Sequence, residues 1–64
     1  MKIKYDKETD IVYISLSSQK IAESDQEKQD IILDYAEDGQ IVGIEILNAS
    51  SKMEQEKGIL YEVA

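Results

Sequence analysis

The sequence predicts an α+β fold: a four-stranded antiparallel β-meander built from two hairpins, then a short C-terminal helix, with a tail that has the pattern for a fifth strand. Three observations predict it. Large apolar residues alternate with polar ones in Met1 to Asp6, Ile11 to Leu16, Ile31 to Tyr35 and Ile41 to Leu47, the period-two pattern of strands with one buried face. Short polar turns, Lys7-Glu8-Thr9-Asp10 and Asp38-Gly39, join these stretches in pairs. After Asn48 the alternation stops and a helix-start signal takes over.

In the first hairpin, Asp6 opposite Ile11 pairs Tyr5 with Val12, Ile3 with Ile14 and Met1 with Leu16, which collects the large side chains on one face. Asp6 and Asp10 are placed to accept backbone hydrogen bonds in the turn. Ser17 to Lys28 reads as a polar connector with one apolar island, Ile21-Ala22, docking it to the sheet. In the second hairpin, Asp38-Gly39 is the signal of a two-residue type I′ turn, which needs positive φ at both positions. That turn sets Tyr35 opposite Val42, Leu33 opposite Ile44 and Ile31 opposite Ile46, whereas a one-residue slip scatters the apolar set over both faces. Ser51 and Glu54 have capping-box spacing, and Gly58 suits a helix C′ position, so Lys52 to Lys57 reads as a short helix. The tail Ile59 to Val63 fits a fifth strand or a continued helix, and Gly58 favours the strand.

The 64 residues make one domain, 1–64. A chain this short hides only roughly 60% of its unfolded surface, so association is expected. The absence of Cys removes a disulfide framework and thiolate metal sites. No apolar run reaches the roughly 18 residues of a membrane span, and the first residues lack the apolar core of a signal peptide. The expected location is therefore cytoplasmic, with no membrane partner. Fourteen Asp and Glu against seven Lys give a net charge of −7, and there is no Arg. Nucleic-acid binders carry basic stripes and use Arg for bidentate contacts, so nucleic acid is disfavoured as a partner. An acidic surface favours a basic protein partner, or serves solubility alone.

The apparatus of catalysis is thin. With neither His nor Cys, the commonest general base and the strongest nucleophile are missing. No serine lies in a GxSxG elbow, and there is no GxGxxG or Walker loop. Asp34 and Glu45 share one face of the second hairpin as near neighbours, but a small sheet offers little concavity to desolvate them. Asp34, Glu37 and Asp38 crowd the turn without the alternate-position ligands of an EF-hand. The expectation is no catalytic, cofactor or metal site. The second face mixes Tyr13, Ile32, Asp34 and Glu45, and those four residues are the expected partner-binding patch.

The run YDKETDIVYISLS, then IAES, then DIILDYAEDGQIVGIEILNAS resembles the YuzE-like family of small bacterial and archaeal domains of unknown function. The resemblance covers about residues 1 to 51, most specifically the Tyr5-Asp6 to Tyr13 hairpin and Leu33-Asp34-Tyr35 through Gly39 to Gly43-Ile44-Glu45-Ile46-Leu47. It implies a small, mostly-β domain without assigned activity or catalytic residues. Some members look like companions of small toxin-like proteins, which implies an antitoxin-like or regulatory role. The functional expectation is a non-catalytic protein-binding module, a homodimer, with a small basic protein as a further partner. The alternative is a ligand- or ion-responsive sheet domain, or a minimal enzyme, using the carboxylates near Asp34 and Glu45.

Overall fold

Strands β1 (Lys2–Asp6) and β2 (Ile11–Ser15) form the first hairpin in the expected register, with Asp6 opposite Ile11, Tyr5 opposite Val12 and Ile3 opposite Ile14. Asp6 closes the turn by accepting the Glu8 amide on Oδ1 at 3.0 Å, and Asp10 takes a left-handed conformation at φ 57. The computed structural model describes residues 1–54 and 58–64. Three further strands, β3 (Glu23–Lys28), β4 (Ile31–Tyr35) and β5 (Ile41–Leu47), complete one antiparallel sheet in the order β1-β2-β5-β4-β3.

The architecture differs from the expected one in three ways. The sheet has five strands, the additional one coming from the polar connector rather than the tail. It is not a simple meander, because β2 pairs with β5 and not with β4. That choice matches Val12 to Ile46 and Ile14 to Ile44, while the other edge of β4 is occupied by β3. The expected helix is absent from the described residues. Ala49–Ser51 makes one 3₁₀ turn, Lys52 to Glu54 is irregular, and residues 55–57 of the expected helix lie outside the described residues. The segment is held open because Ser51 Oγ and its amide return to the Asn48 carbonyl, at 2.8 and 3.3 Å, rather than capping a new helix. The chain is therefore nearly all β.

The second hairpin keeps Leu33 opposite Ile44 and Ile31 opposite Ile46, but a bulge after Asp34 sets Tyr35 opposite Ile41 instead of Val42. The turn explains the shift. Gly39 N–H bonds the Ala36 carbonyl at 2.9 Å and Ala36 N–H bonds the Gln40 carbonyl at 2.8 Å. Gly39 has φ +89, whereas Asp38 is not among the positive-φ residues. The loop is thus a three-residue turn with a left-handed Gly39, not a type I′ turn.

Register across the sheet gives two faces. Ile3, Ile14, Ile44 and Leu33 lie in one row, and Tyr5, Val12, Ile46 and Ile31 in another, on the apolar face. Lys4, Tyr13, Glu45 and Ile32 share a row on the mixed face. The buried apolar residues are Val12, Ala36, Val42 and Ala49, and no large side chain is fully buried among the described residues. The tail residues Ile59, Leu60, Tyr61 and Val63 are each at least 67% exposed. Among the described residues no second layer covers the apolar face.

Candidate functional site

The mixed face carries the one buried charged residue described, Asp34, at 4% exposure. Its place on β4 puts it between Ser24 of β3 and Gly43 of β5. Gly43 leaves a notch for the carboxyl group: a Cβ there would lie 3.2 Å from Asp34 Oδ2 and 3.4 Å from the Ile14 carbonyl oxygen. A side chain there would press on the Asp34 carboxyl, which would have to give by a few tenths of an ångström. From the other side Ser24 Oγ donates to Asp34 Oδ1 at 2.6 Å.

Glu45 lies one step along β5 on the same face, diagonal to Asp34. Burial first, and then a hydrogen bond to Asp34 and the repulsion of its charge, hold the Glu45 carboxyl above its ordinary value. The burial and the neighbouring carboxyl group both favour the neutral form of Glu45 over the charged one. Tyr13 and Ile32 flank Glu45 in register on β2 and β4. The four residues expected as a patch are therefore brought together.

Above Tyr13, Asp34 and Glu45 arches the segment from Ser17 to Ile21. Its ends are tied down by the Leu16 amide on the Val42 carbonyl and the Ala22 amide on the Tyr35 carbonyl, both at 2.8 Å. The arch makes a hollow of about 220 Å³ whose lining includes Tyr13, Ser15, Ser18, Gln19, Asp34 and Glu45. The sheet was expected to offer little concavity, and what there is beside Asp34 and Glu45 comes from this arch. The hollow still falls below the roughly 300–1,000 Å³ of ordinary small-molecule sites. Sequence reasoning did not assign Ser24 or the arch to the site, because a polar connector of this length fits a mobile loop as well as a short strand of its own; the strand is the one observed, Glu23–Lys28.

A second set of carboxylates lies at the far end of the sheet. Asp10 accepts the Tyr5 hydroxyl on Oδ1 at 2.7 Å, and the Ser50 amide and hydroxyl at 2.9 and 2.7 Å. Asp30 accepts Lys52 Nζ at 2.9 Å and Asn48 Nδ2 at 3.0 Å. Both carboxyls are held below their ordinary value, Asp10 first by the Tyr5 hydroxyl and Asp30 first by Lys52. These are fasteners that pin the end of β5 to two turns. At the β3 edge, Tyr35 donates its hydroxyl to Glu27 at 2.9 Å, and that bond leads the causes that raise the Tyr35 pKa. Glu37 and Asp38 do not join Asp34, and Asp38 instead receives the Gln40 amide at 3.0 Å. Among the described residues no group of three or more acidic side chains is placed to hold a metal ion, and no helix is long and apolar enough to cross a membrane.

A family model described as protein of unknown function (DUF2283) matches residues 2–50. Neither the curated proteins nor the solved structures contain a match to the chain. The match spans the whole five-stranded sheet and ends in the 3₁₀ turn, and the chain belongs to this family.

Proposed function

We propose that this DUF2283 domain is a non-catalytic protein-binding module whose docking surface is the uncovered apolar face. The observation that carries the reading is a single-layer sheet in which no large side chain is fully buried among the described residues. Soluble domains are built from at least two packed layers, because a sheet with an apolar face must bury it. Large exposed apolar patches on soluble chains mark interaction sites. The mixed face, with Tyr13, Ile32, Asp34 and Glu45, is left for a second partner, and the net charge of −7 favours a basic one. The YuzE-like resemblance, with its antitoxin-like role in the cytoplasm, is compatible with such a partner. Dye binding tests the docking surface. An environment-sensitive apolar dye should brighten with the dilute protein, and Ile14→Asn with Ile44→Asn should remove the signal while the strand circular dichroism persists. A dilute protein that leaves the dye dark would mean that the chain covers its own face.

A second reading is favoured by one observation, the raised pKa of Glu45 beside the buried Asp34. In that reading the pair responds to protons or to a small cation, and Asp34→Asn changes the response without unfolding the sheet.

A further inference from the structure

We infer that the apolar face seats a basic amphipathic helix of another protein, with its apolar stripe along β4 and β5 and its lysines or arginines facing an acidic rim on β3. The inference rests on the docking reading above and names the occupant.

The rim follows from register. Asp25 lies opposite Leu33 and Glu23 opposite Tyr35, so both carboxylates stand on the apolar side of the sheet. Glu27 joins them by accepting the Tyr35 hydroxyl at 2.9 Å. That hydroxyl registers the whole row: its pKa is raised first by the bond to Glu27, then by burial, then by the charges of Glu27, Asp25 and Glu23. The strand's one cation, Lys28, stands at its end, beyond the bulge and opposite Ile31. Lys2 and Lys4 pair with Ser15 and Tyr13 on the mixed face, so they do not offset the acid on the apolar side. Protection of an edge strand is served by charges on either side of it. Here Ser24 and Gln26 fill the mixed side of β3, and the acid is confined to the margin of the apolar face.

Dimensions and charge select the occupant. Strand β4, five residues long, runs about 17 Å, the length of about eleven helical residues. A helix about 10 Å across covers roughly two strands. Laid over β4 and β5, it leaves the β1 side to the tail, whose Ile59 and Tyr61 lie beside Met1 and Ile3. Side chains at i and i+4 of a helix are about 6.0 Å apart along its axis, close to the roughly 6.8 Å between alternate residues such as Glu23 and Asp25 on a strand. A basic flank therefore meets the rim nearly in step. A second copy of the chain would instead set a net charge of −7 against itself. A contact of this size belongs to the small, transient class of interfaces.

Fluorescence anisotropy with designed peptides tests the occupant. The probe is a labelled helical peptide, cross-linked to hold its shape, with a leucine stripe and lysines along one flank. One comparator carries glutamates in place of the lysines, and another has the lysine peptide's residues in scrambled order. Dilute wild type should bind the lysine helix about tenfold or more tighter than either comparator. Glu23→Lys with Asp25→Lys should reverse the preference toward the glutamate helix. Glu8→Lys with Glu54→Lys, at exposed positions off β3, changes the net charge equally and should keep it. Equal binding of the scrambled peptide would reduce the attraction to bulk charge and overturn the helix as occupant. A preference that survives the swap at Glu23 and Asp25 would overturn the rim as its selector. A protein that brightens the apolar dye but binds no lysine helix would overturn this inference and leave the docking surface standing, as would a dimer by sedimentation, which puts a second copy in the helix's place. A protein that leaves the dye dark and binds no peptide would overturn both.

Discussion

Asp34 with Glu45, and Asp10 with Asp30, are two pairs of carboxylates on the same small sheet with opposite electrostatics. Asp10 and Asp30 face donors: a tyrosine hydroxyl, a serine amide and hydroxyl, an asparagine amide and a lysine. Both titrate below their ordinary value. Glu45 faces another carboxyl and partial burial, and titrates above it. The first pair is held in its charged form by donors, whereas burial and a like charge disfavour the charged form of Glu45. Side-chain type does not separate them; the neighbours do. Fasteners are what an exposed loop end needs.

The largest effect expected is on the second pair. Gly43→Val adds a Cβ that lies 3.2 Å from Asp34 Oδ2 and 3.4 Å from the Ile14 carbonyl oxygen, and two methyl groups beyond it. Overpacking of this kind costs about 1–3 kcal/mol. Urea unfolding should show the loss. Gly43→Val with wild-type stability would mean that Asp34 can leave its buried position freely.

Much of this was legible in the sequence, and the parts that were not share a cause. The β1–β2 register, and the Leu33–Ile44 and Ile31–Ile46 pairs, follow from alternation, because moving them by one residue exposes the large side chains. The grouping of Tyr13, Ile32, Asp34 and Glu45 follows from the same rule. Strand β3 was hidden, since Glu-Ser-Asp-Gln-Glu-Lys is exposed throughout and has no apolar alternation to show. Backbone pairing to β4 and the Ser24–Asp34 bond hold it instead. Strand order was hidden for a related reason: β4 and β5 offer β2 the same isoleucine-rich pattern, and only the occupation of β4 by β3 decides between them. The helix signal at Ser51 and Glu54 was overridden by tertiary bonds, with Asp10 taking the Ser50 amide and its carbonyl the Ala49 amide at 3.0 Å.

Stability against pH sharpens the contrast next. The Asp10 and Asp30 pKa values lie below the ordinary 3.8. Their contribution is complete above the unfolded value and is lost as pH falls through the folded values. The Glu45 value lies above the ordinary 4.5, so its contribution is present below the unfolded value and is lost as pH rises through the folded one. Stability should therefore fall on both sides of a weakly acid maximum. Denaturation profiles over about pH 3 to 7 check this. Asp34→Asn should flatten the limb toward neutrality and leave the acid limb, while Asp10→Asn should do the reverse. One variant flattening both limbs would mean that the two sites are coupled.

The smallest effect expected is at Lys52. Its ammonium reaches Asp30 at 2.9 Å and the Leu47 carbonyl at 3.0 Å, but the pair is solvent-accessible, with side chains 38% and 20% exposed. Exposed pairs lose much of their attraction to solvent and salt. Asp30 also keeps Asn48 Nδ2 when Lys52 is removed. Lys52→Met should therefore leave the melting temperature close to wild type, while the Asp30 carboxyl, observed by carbon NMR, moves back toward 3.8 because its leading cause of lowering is gone. Asn48→Ala should cost more, since the left-handed conformation at φ 52 and ψ 44 disfavours alanine and the amide donor is lost as well. If Lys52→Met proves the more damaging of the two, the fastener depends on its cation rather than on the left-handed turn, and the contrast with the Asp34–Glu45 pair rests on charge alone.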